Sequence, residues 1–502
     1  MSAAKPAPTR VQRALGGHAA IGLLVSALLY IIALSGTLVV IHDRWQRWEQ
    51  PNVAETAALS PAAAQAAMAG AAARDRDKPR TTHLYLRMPT DDLPRPVVTT
   101  DHDAWYVDGD GRLVAREAHA WTEFMIGLHE YLHLPMTWGM ILVGALGVAL
   151  AALAVTGVLA HPRIVRDAFR LRSRHDPQIA RADWHNRLGV WTLPFVLVLT
   201  MTGAFLGLGS IGATVLARAY TGGSLERIYT PIFGTEPKPD PAAAPLPNIA
   251  AALATLRARV PEGVPTYVIV HDPGTRGQHV QVIAAHPRRL IYGESYAFDA
   301  QGRWRGGAGL SDGAIGQQVA ASTYNLHFGN YAGLPVELAY MLLGIALCGV
   351  TATGTSLWLQ KRRRRGLGGQ RLTACWAVVI WGTPLALMAT LWLRAVAGPD
   401  APLAGAFWVL LALGLGAAAI RPGWASADRL RSATAVAIAA TGLGHLIVLR
   451  PTAFGIVAID LMLLGVAAVL LAMDARVRRS LHRRAPAPMT IDQPPTTVKI
   501  AR

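Results

Sequence analysis

Cysteine is almost absent from this sequence: 502 residues contain two, Cys348 and Cys375, each inside an apolar stretch. That excludes a disulfide scaffold and a thiolate zinc site, and without a C-x-x-C-H run a c-type haem has no attachment point. Charge is also scarce. Only 16% of residues are charged against 52% hydrophobic, a mixture too apolar for an ordinary soluble enzyme. Acidic residues are outnumbered, 31 to 48 basic, for a formal net charge of +17. The bases do not make a nucleic-acid face, because they cluster beside apolar runs, as in Lys361-Arg362-Arg363-Arg364-Arg365 after Leu357-Trp358-Leu359. A strand-linked G-x-G-x-x-G is missing as well. The nearest candidate, Gly414-Leu415-Gly416, lies in an apolar run and lacks the third glycine, so electrons or groups carried by a dinucleotide are not expected to enter through this chain.

Long apolar runs are what the sequence has in abundance. A hydrocarbon core of ~30 Å takes about 20 helical residues to cross. Eight runs qualify, near 18–41, 137–160, 186–209, 333–358, 372–394, 403–420, 432–449 and 454–473. They imply a lipid bilayer as partner and an α-helical integral membrane protein of about eight transmembrane helices. No small-residue cleavage site follows the first run at Ile41-His42-Asp43-Arg44-Trp45, so it is expected to remain as a span. The bases set the direction. Arg10 and Arg13, then Arg163, Arg166, Arg170, Arg172, Arg174 and Arg181, the Lys361 run, Arg421, Arg429 and Arg431, and finally Arg476, Arg478 and Arg479 all fall on one side when the spans alternate. By the positive-inside rule that side is the cytoplasm and holds both termini. The opposite side receives two long loops, 43–120 and 210–325.

The loops and spans repeat. Trp105-Tyr-Val-Asp108-Gly-Asp-Gly111-Arg112 and Tyr296-Ala-Phe-Asp299-Ala-Gln-Gly302-Arg303 share one spacing, that of a strand running into an Asp/Gly turn. His18 precedes Gly36 of Ser35-Gly36-Thr37 by 18 positions, and His185 of Trp184-His185-Asn-Arg-Leu-Gly189 precedes Gly203 of Thr202-Gly203 by the same number. At 3.6 residues per turn that is about five turns, so each histidine shares a helix face with its glycine, against which a flat ligand fits. Leu128-His129 leads to Thr156-Gly157, and Leu326-His327 to Thr353-Gly354, at intervals of 28 and 27, although Pro135 and Pro335 prevent an argument about faces.

Each span of this fourfold set thus begins with a histidine, His18 and His185 at the cytoplasmic end, His129 and His327 at the other. A lone interfacial histidine is an ordinary snorkelling residue; four at repeated positions are a pattern. Two histidines from separate helices at one depth grip a haem iron from both faces, and two such pairs stack two haems across the bilayer. His133, one turn after His129, is an alternative ligand there. His42 and His161, at span exits, are secondary candidates as supports or propionate partners. His445 has no counterpart and reads as structural.

These motifs resemble the PepSY-associated transmembrane proteins, which include iron-regulated membrane proteins and inner-membrane ferric-siderophore reductases of Gram-negative bacteria. The likeness is carried by Arg13 with His18 and Ser35-Gly36, Leu128-His129 with Thr156-Gly157, Trp184-His185-Asn-Arg-Leu-Gly189 with Thr202-Gly203, and Leu326-His327-Phe-Gly-Asn with Gly333-Leu334-Pro335 and Thr353-Gly354, over residues 10 to 365. The resemblance implies two small α+β PepSY-like periplasmic domains. The layout becomes a first span (10–42), a first periplasmic domain (43–120), a second span (121–162), a cytoplasmic loop (163–184), a third span (185–209), a second periplasmic domain (210–325), a fourth span (326–360) and a basic loop (361–371). An accessory four-helix membrane module (372–475) and a cytoplasmic tail (476–502) lie beyond it. The resemblance also implies two b-type haems, held by His18 with His185 and by His129 with His327, in an inner-membrane protein that reduces a periplasmic ferric siderophore and so releases ferrous iron. No side chain is then catalytic beyond the haems, and the electron donor is a quinol or a separate reductase. The rival readings are a siderophore or iron permease component and a non-catalytic membrane sensor or regulator.

Overall fold

The computed structural model describes residues 9–161, 163, 166, 169, 177–233 and 239–482. Arg170, Arg172 and Arg174, on which part of the orientation argument rests, and residues 483–502 of the expected cytoplasmic tail lie outside the described residues. Among the described residues, eight helices are long and apolar enough to cross a membrane. They begin with α1 (Arg10–Val39), opened by a capping box in which Thr9 and Gln12 exchange side-chain and backbone hydrogen bonds. After the short α2 (His42–Glu49) and α3 (Pro61–Arg74) come strands β1 (His83–Arg87), β2 (Val97–Thr99), β3 (Ala104–Val107) and β4 (Leu113–Arg116). Then α4 (Ala120–Tyr131) leads to the second span, α5 (Met136–Ala160). The second half repeats this order: α6 (Pro177–Trp191), the third span α7 (Leu193–Tyr220), α8 (Leu225–Phe233), α9 (Ile249–Arg259), strands β5 (Val264–His271), β6 (His279–Ala285), β7 (Glu294–Phe298) and β8 (Trp304–Gly307), then α10 (Ile315–Phe328) and the fourth span α11 (Leu334–Arg364).

Two boundaries differ from the sequence expectation. The third span runs on to Tyr220, past the expected end at 209, because Gly-Ser-Ile-Gly-Ala-Thr-Val-Leu-Ala continues the apolar helix without a breaker. In addition, three of the four histidines are not on the spans themselves. His185 sits on α6, separated from α7 at Thr192 just before Pro194; His129 sits on α4 and His327 on α10. The chain turns from α4 into α5 through left-handed Leu132 and His133, and from α10 into α11 through Gly329, Ala332 and Gly333, with Pro135 and Pro335 restarting the helices.

Each long loop contributes one covering helix, α3 or α9, and a four-stranded antiparallel meander. The two units meet edge to edge through β1 and β5, so that eight strands run as one sheet in the order β4-β3-β2-β1-β5-β6-β7-β8. Strand alternation sends Leu84, Leu86, Val268, Val270, Val280 and Val282 to one face, where α3 and α9 cover them with Ala64, Ala67, Met68, Ile249, Leu253 and Leu256. The repeated turn is built identically in both units. Oδ1 of Asp108 accepts from the backbone N–H groups of Asp110 and Arg112, and Oδ1 of Asp299 accepts from those of Gln301 and Arg303. Gly111 and Gly302 take positive φ values of 85° and 77°. A Cβ on either would strike the covering helix, at Ala63 or at Ala251 and Ala252.

The remaining spans are residues Gln370–Ala397, made of α12 (Gln370–Ala377), a π-helical turn (Val378–Gly382) and α13 (Thr383–Ala397), followed by α14 (Leu403–Ile420), α15 (Ala427–Leu449) and α16 (Phe454–His482). Pro384 explains the irregular turn: it has no N–H to offer the Ile380 carbonyl, which instead accepts from the Tyr30 hydroxyl of α1 at 2.8 Å. This block is not a loose appendage. Trp45, Trp48, Trp121 and Leu128 from α2 and α4 share one buried core with Leu387, Leu391, Phe407, Ile438 and Ile459.

Candidate functional site

The first four spans and their flanking helices bring the histidines together in two pairs. The rings of His18 and His185 have centroids 6.3 Å apart at an interplanar angle of 77°, and those of His129 and His327 are 6.0 Å apart at 30°. The pairs sit at opposite ends of the bundle. His18 and Gly36 occupy the two ends of α1, a separation of about 27 Å at 1.5 Å per residue.

One local device anchors all four rings. Nδ1 of His18 donates to the Leu153 carbonyl at 3.1 Å, that of His185 to the Val350 carbonyl at 3.0 Å and that of His129 to the Ile32 carbonyl at 3.0 Å. A carbonyl only accepts, so the proton is on Nδ1 and the lone pair is on Nε2. His327 reaches the same result through Thr202, whose hydroxyl gives its own hydrogen to Val198 and accepts from Nδ1 at 3.0 Å. In each case the anchor is a carbonyl one turn before a hydroxyl–glycine pair, or for His327 the hydroxyl itself: Ser35-Gly36, Thr156-Gly157, Thr202-Gly203 and Thr353-Gly354. The hydroxyl bonds back to the carbonyl four residues earlier. Among the described residues, Nε2 of none of the four carries a hydrogen bond.

The glycines serve differently from the sequence expectation. Gly36 does not back a ligand held by His18 of its own helix. A Cβ there would lie 2.5 Å from Cε1 of His129; at Gly203 it would lie 2.8 Å from Cε1 of His327. Gly157 stands against His18 in the same way, and Gly354 against His185, at 3.3 and 3.1 Å. Helix α1 therefore gives a histidine to one site and a glycine to the other. The shared face read from the 18-residue interval is real, but its two ends belong to different sites, because the helix carries them to opposite ends of the bundle.

The other candidates lie apart. His133 turns back on its own segment, its Nε2 2.7 Å from the Phe124 carbonyl and its ring stacked on Phe124. His42 bonds the Val39 carbonyl and contacts Asp43, and His161 caps the end of α5. His445, in α15, is buried between Asp460 and the Trp48 carbonyl, at 2.9 and 3.0 Å, and stacks on Trp48.

Around His129 and His327 lies a cavity of about 290 Å³, walled by Leu29, Val143, Leu146, Phe195, Leu206 and Leu347 and narrowed by few polar groups. Gly36, Gly203, Gly207 and Gly344 also line it; a Cβ on Gly207 would strike Gly144 and Met140 and one on Gly344 would strike Thr37, so these two let the walling helices close up. A flat apolar ligand fits such a lining. The donor set is restrictive too. Among the described residues no group of three or more His, Cys, Asp or Glu side chains is arranged to hold a metal. Two imidazoles alone do not complete a tetrahedral or octahedral metal shell, whereas a tetrapyrrole would supply nitrogens of its own and need only two from the protein. The distance agrees. Ring centroids 6.3 and 6.0 Å apart would leave room for one metal ion bonded to both rings of a pair. The anchoring carbonyls and hydroxyls are the part that reading the sequence assigned to no function; the signal available for them was the recurrence of Ser or Thr before each glycine.

Comparison with known proteins places the chain among relatives. It is 29% identical over 352 residues to an uncharacterised protein of Pseudomonas aeruginosa, an alignment covering 64% of this chain and 86% of that one. Residues 16–361 match the family described as the PepSY-associated TM region, from just before His18 to the end of the four-span core, and so the chain belongs to that family.

Proposed function

We propose that this protein is a di-haem b electron carrier of the bacterial inner membrane, with both termini in the cytoplasm, that reduces a ferric siderophore on the periplasmic side and so releases ferrous iron. The observation that carries the reading is the pair of imidazole pairs, 6.3 and 6.0 Å apart, each ring fixed through Nδ1 with Nε2 turned away from its anchor. His18 and His185 would hold one haem, His129 and His327 the other. When bound, a bis-histidine haem supplies one-electron cycling of its iron. The chain's own residues do the rest. The carbonyls of Leu153, Val350 and Ile32 fix ring orientation and raise ligand basicity, the glycines admit the rings, and the apolar cavity wall keeps water out. Ferrous iron is held less tightly by hard oxygen chelators than ferric iron, so no acid or base is required of the protein. A quinol or a separate reductase is the donor this scheme needs.

The test is a dithionite difference spectrum on purified full-length protein with the haem-to-protein ratio measured. Two haems per chain are expected, one lost in His18→Ala or His185→Ala and the other in His129→Ala or His327→Ala, while His133→Ala keeps both. Ferric hydroxamate mixed with the reduced protein should reoxidise the haem bands. A colourless preparation would sink the reading and favour a sensor or permease role.

A further inference from the structure

The sheet has a second face that α3 and α9 do not cover. Pairing sets Thr99 opposite Tyr85, Val97 opposite Arg87, and Arg87 opposite Tyr267, so these five side chains share that face. With Glu117 they line a cavity of about 170 Å³. Its chemistry is one-sided. Arg87, Tyr85, Tyr267 and Thr99 all carry hydrogen-bond donors. The one carboxylate in the lining is already committed: Nη2 of Arg87 donates to Glu117 at 2.7 Å, and Nε2 of His119 stands 2.9 Å from the same oxygen. That pairing holds the Glu117 carboxyl below its ordinary range although burial pushes it up, and raises His119 although burial pulls it down. Nε of Arg87 is buried and makes no hydrogen bond among the described residues.

The position of this cleft relates it to the histidine pair at the sheet end of the bundle. Arg87 and Tyr267 lie within electrostatic reach of Asp43 at the start of α2, and Tyr267 within that of Tyr324 on α10. Tyr324 lines the His129/His327 cavity and stacks on Phe328 with centroids 4.3 Å apart, and Phe328 meets His327 edge-on at 5.5 Å. Tyr267 and Tyr324 are both about two-fifths exposed, so the space between sheet and helices is open to solvent. The acids facing it from the helices are Asp43, in contact with His42, and Glu130 beside His129.

We propose that this cleft is the docking site of the electron-accepting substrate, a ferric chelate presenting anionic carboxylate or catecholate oxygens, with Arg87, Tyr85 and Tyr267 as its specificity-determining residues. The proposal rests on the reductase reading for the electron transfer to the bound chelate, but not for binding itself. Nη2 of Arg87 is shared with Glu117, and the guanidinium's positive charge with its remaining N–H groups is what it offers an anionic oxygen, while the tyrosine rings offer flat apolar faces with a hydroxyl at the rim.

Gallium(III) chelates test it, because gallium is not reduced and binding is then read without electron transfer. Gallium tris-catecholate and the uncharged gallium tris-acetohydroxamate would be titrated calorimetrically onto full-length protein in detergent, with haem content measured on the same samples. The catecholate complex is expected to bind at least tenfold more tightly than the hydroxamate. Loss of a charge-assisted hydrogen bond should make Arg87→Gln about tenfold or more weaker, with Arg87→Lys in between and Tyr267→Leu several-fold weaker. Arg303→Gln, on the far hairpin, should bind as wild type. Haem content should be full in all of them. Wild-type affinity in both Arg87 variants, or equal affinity for the two complexes, would overturn the proposal. Chelate binding that depends on Arg87 in a protein without haem would uphold the cleft and overturn the reductase reading.

Discussion

Four glycines of this bundle, Gly36, Gly157, Gly203 and Gly354, each stand against another helix's histidine. At Gly203 the neighbouring imidazole has no room to retreat, since moving His327 breaks its bond to Thr202. Overpacking of this kind costs about 1–3 kcal/mol or forces the neighbour aside. Gly203→Ala is therefore expected to displace His327 and, on the proposed di-haem reading, to lower the haem-to-protein ratio from two toward one. Gly209→Ala, six residues on in the same span and facing nothing within 4 Å, should leave it at two. A pyridine haemochrome assay on both variants decides this; an unchanged ratio in Gly203→Ala would mean that the glycine is not shaping the site. At this scale the sequence was informative about residue type and position. It was misleading about partnership, because the 18-residue interval links a histidine and a glycine that serve different sites.

Among the elements, the fifth span shows how a proline defect is absorbed. Pro384 removes one donor, and the hydroxyl of Tyr30, buried in α1, supplies another. Tyr30→Phe keeps the ring and leaves the Ile380 carbonyl unsatisfied, at a cost of about 1–3 kcal/mol. A lower thermal midpoint is expected for the detergent-solubilised protein. Adding Pro384→Ala restores an N–H at the defect and should recover part of the loss. Additive effects in that double-mutant comparison would show that the two residues do not compensate one another. The missing donor at Pro384 is legible in the sequence, since it is a local property. The sequence was silent on Tyr30, whose partner lies 350 positions away.

Across the whole molecule, the family-matched core and the C-terminal block are joined by polar contacts inside an apolar seam. Trp48 donates to Asp460 at 2.8 Å, His445 bridges Asp460 and the Trp48 carbonyl, and Trp121, Trp376 and Trp408 each donate an indole N–H across the same boundary. Removing one partner from such a buried network leaves the others unpaired and typically costs about 3–5 kcal/mol. In Asp460→Ala, limited proteolysis is expected to cut faster in the connections at 398–402 and 421–426, while the absorbance of the haem proposed at His18 and His185 persists. Simultaneous loss of that absorbance would show that the two blocks fold as one unit instead.

The amino-acid sequence by itself determined the eight spans, the four histidines, the hydroxyl–glycine pairs and the two matching strand turns. Each of these is written in hydropathy, helical period or turn chemistry over a few neighbouring residues. The tertiary structure alone decided which glycine receives which ring, which carbonyl orients it, that the two meanders share one sheet, and that the last four spans dock on tryptophans of α2 and α4. Those outcomes depend on contacts between elements tens to hundreds of residues apart, and a backbone carbonyl or an open strand edge looks the same in every sequence until another element is packed against it.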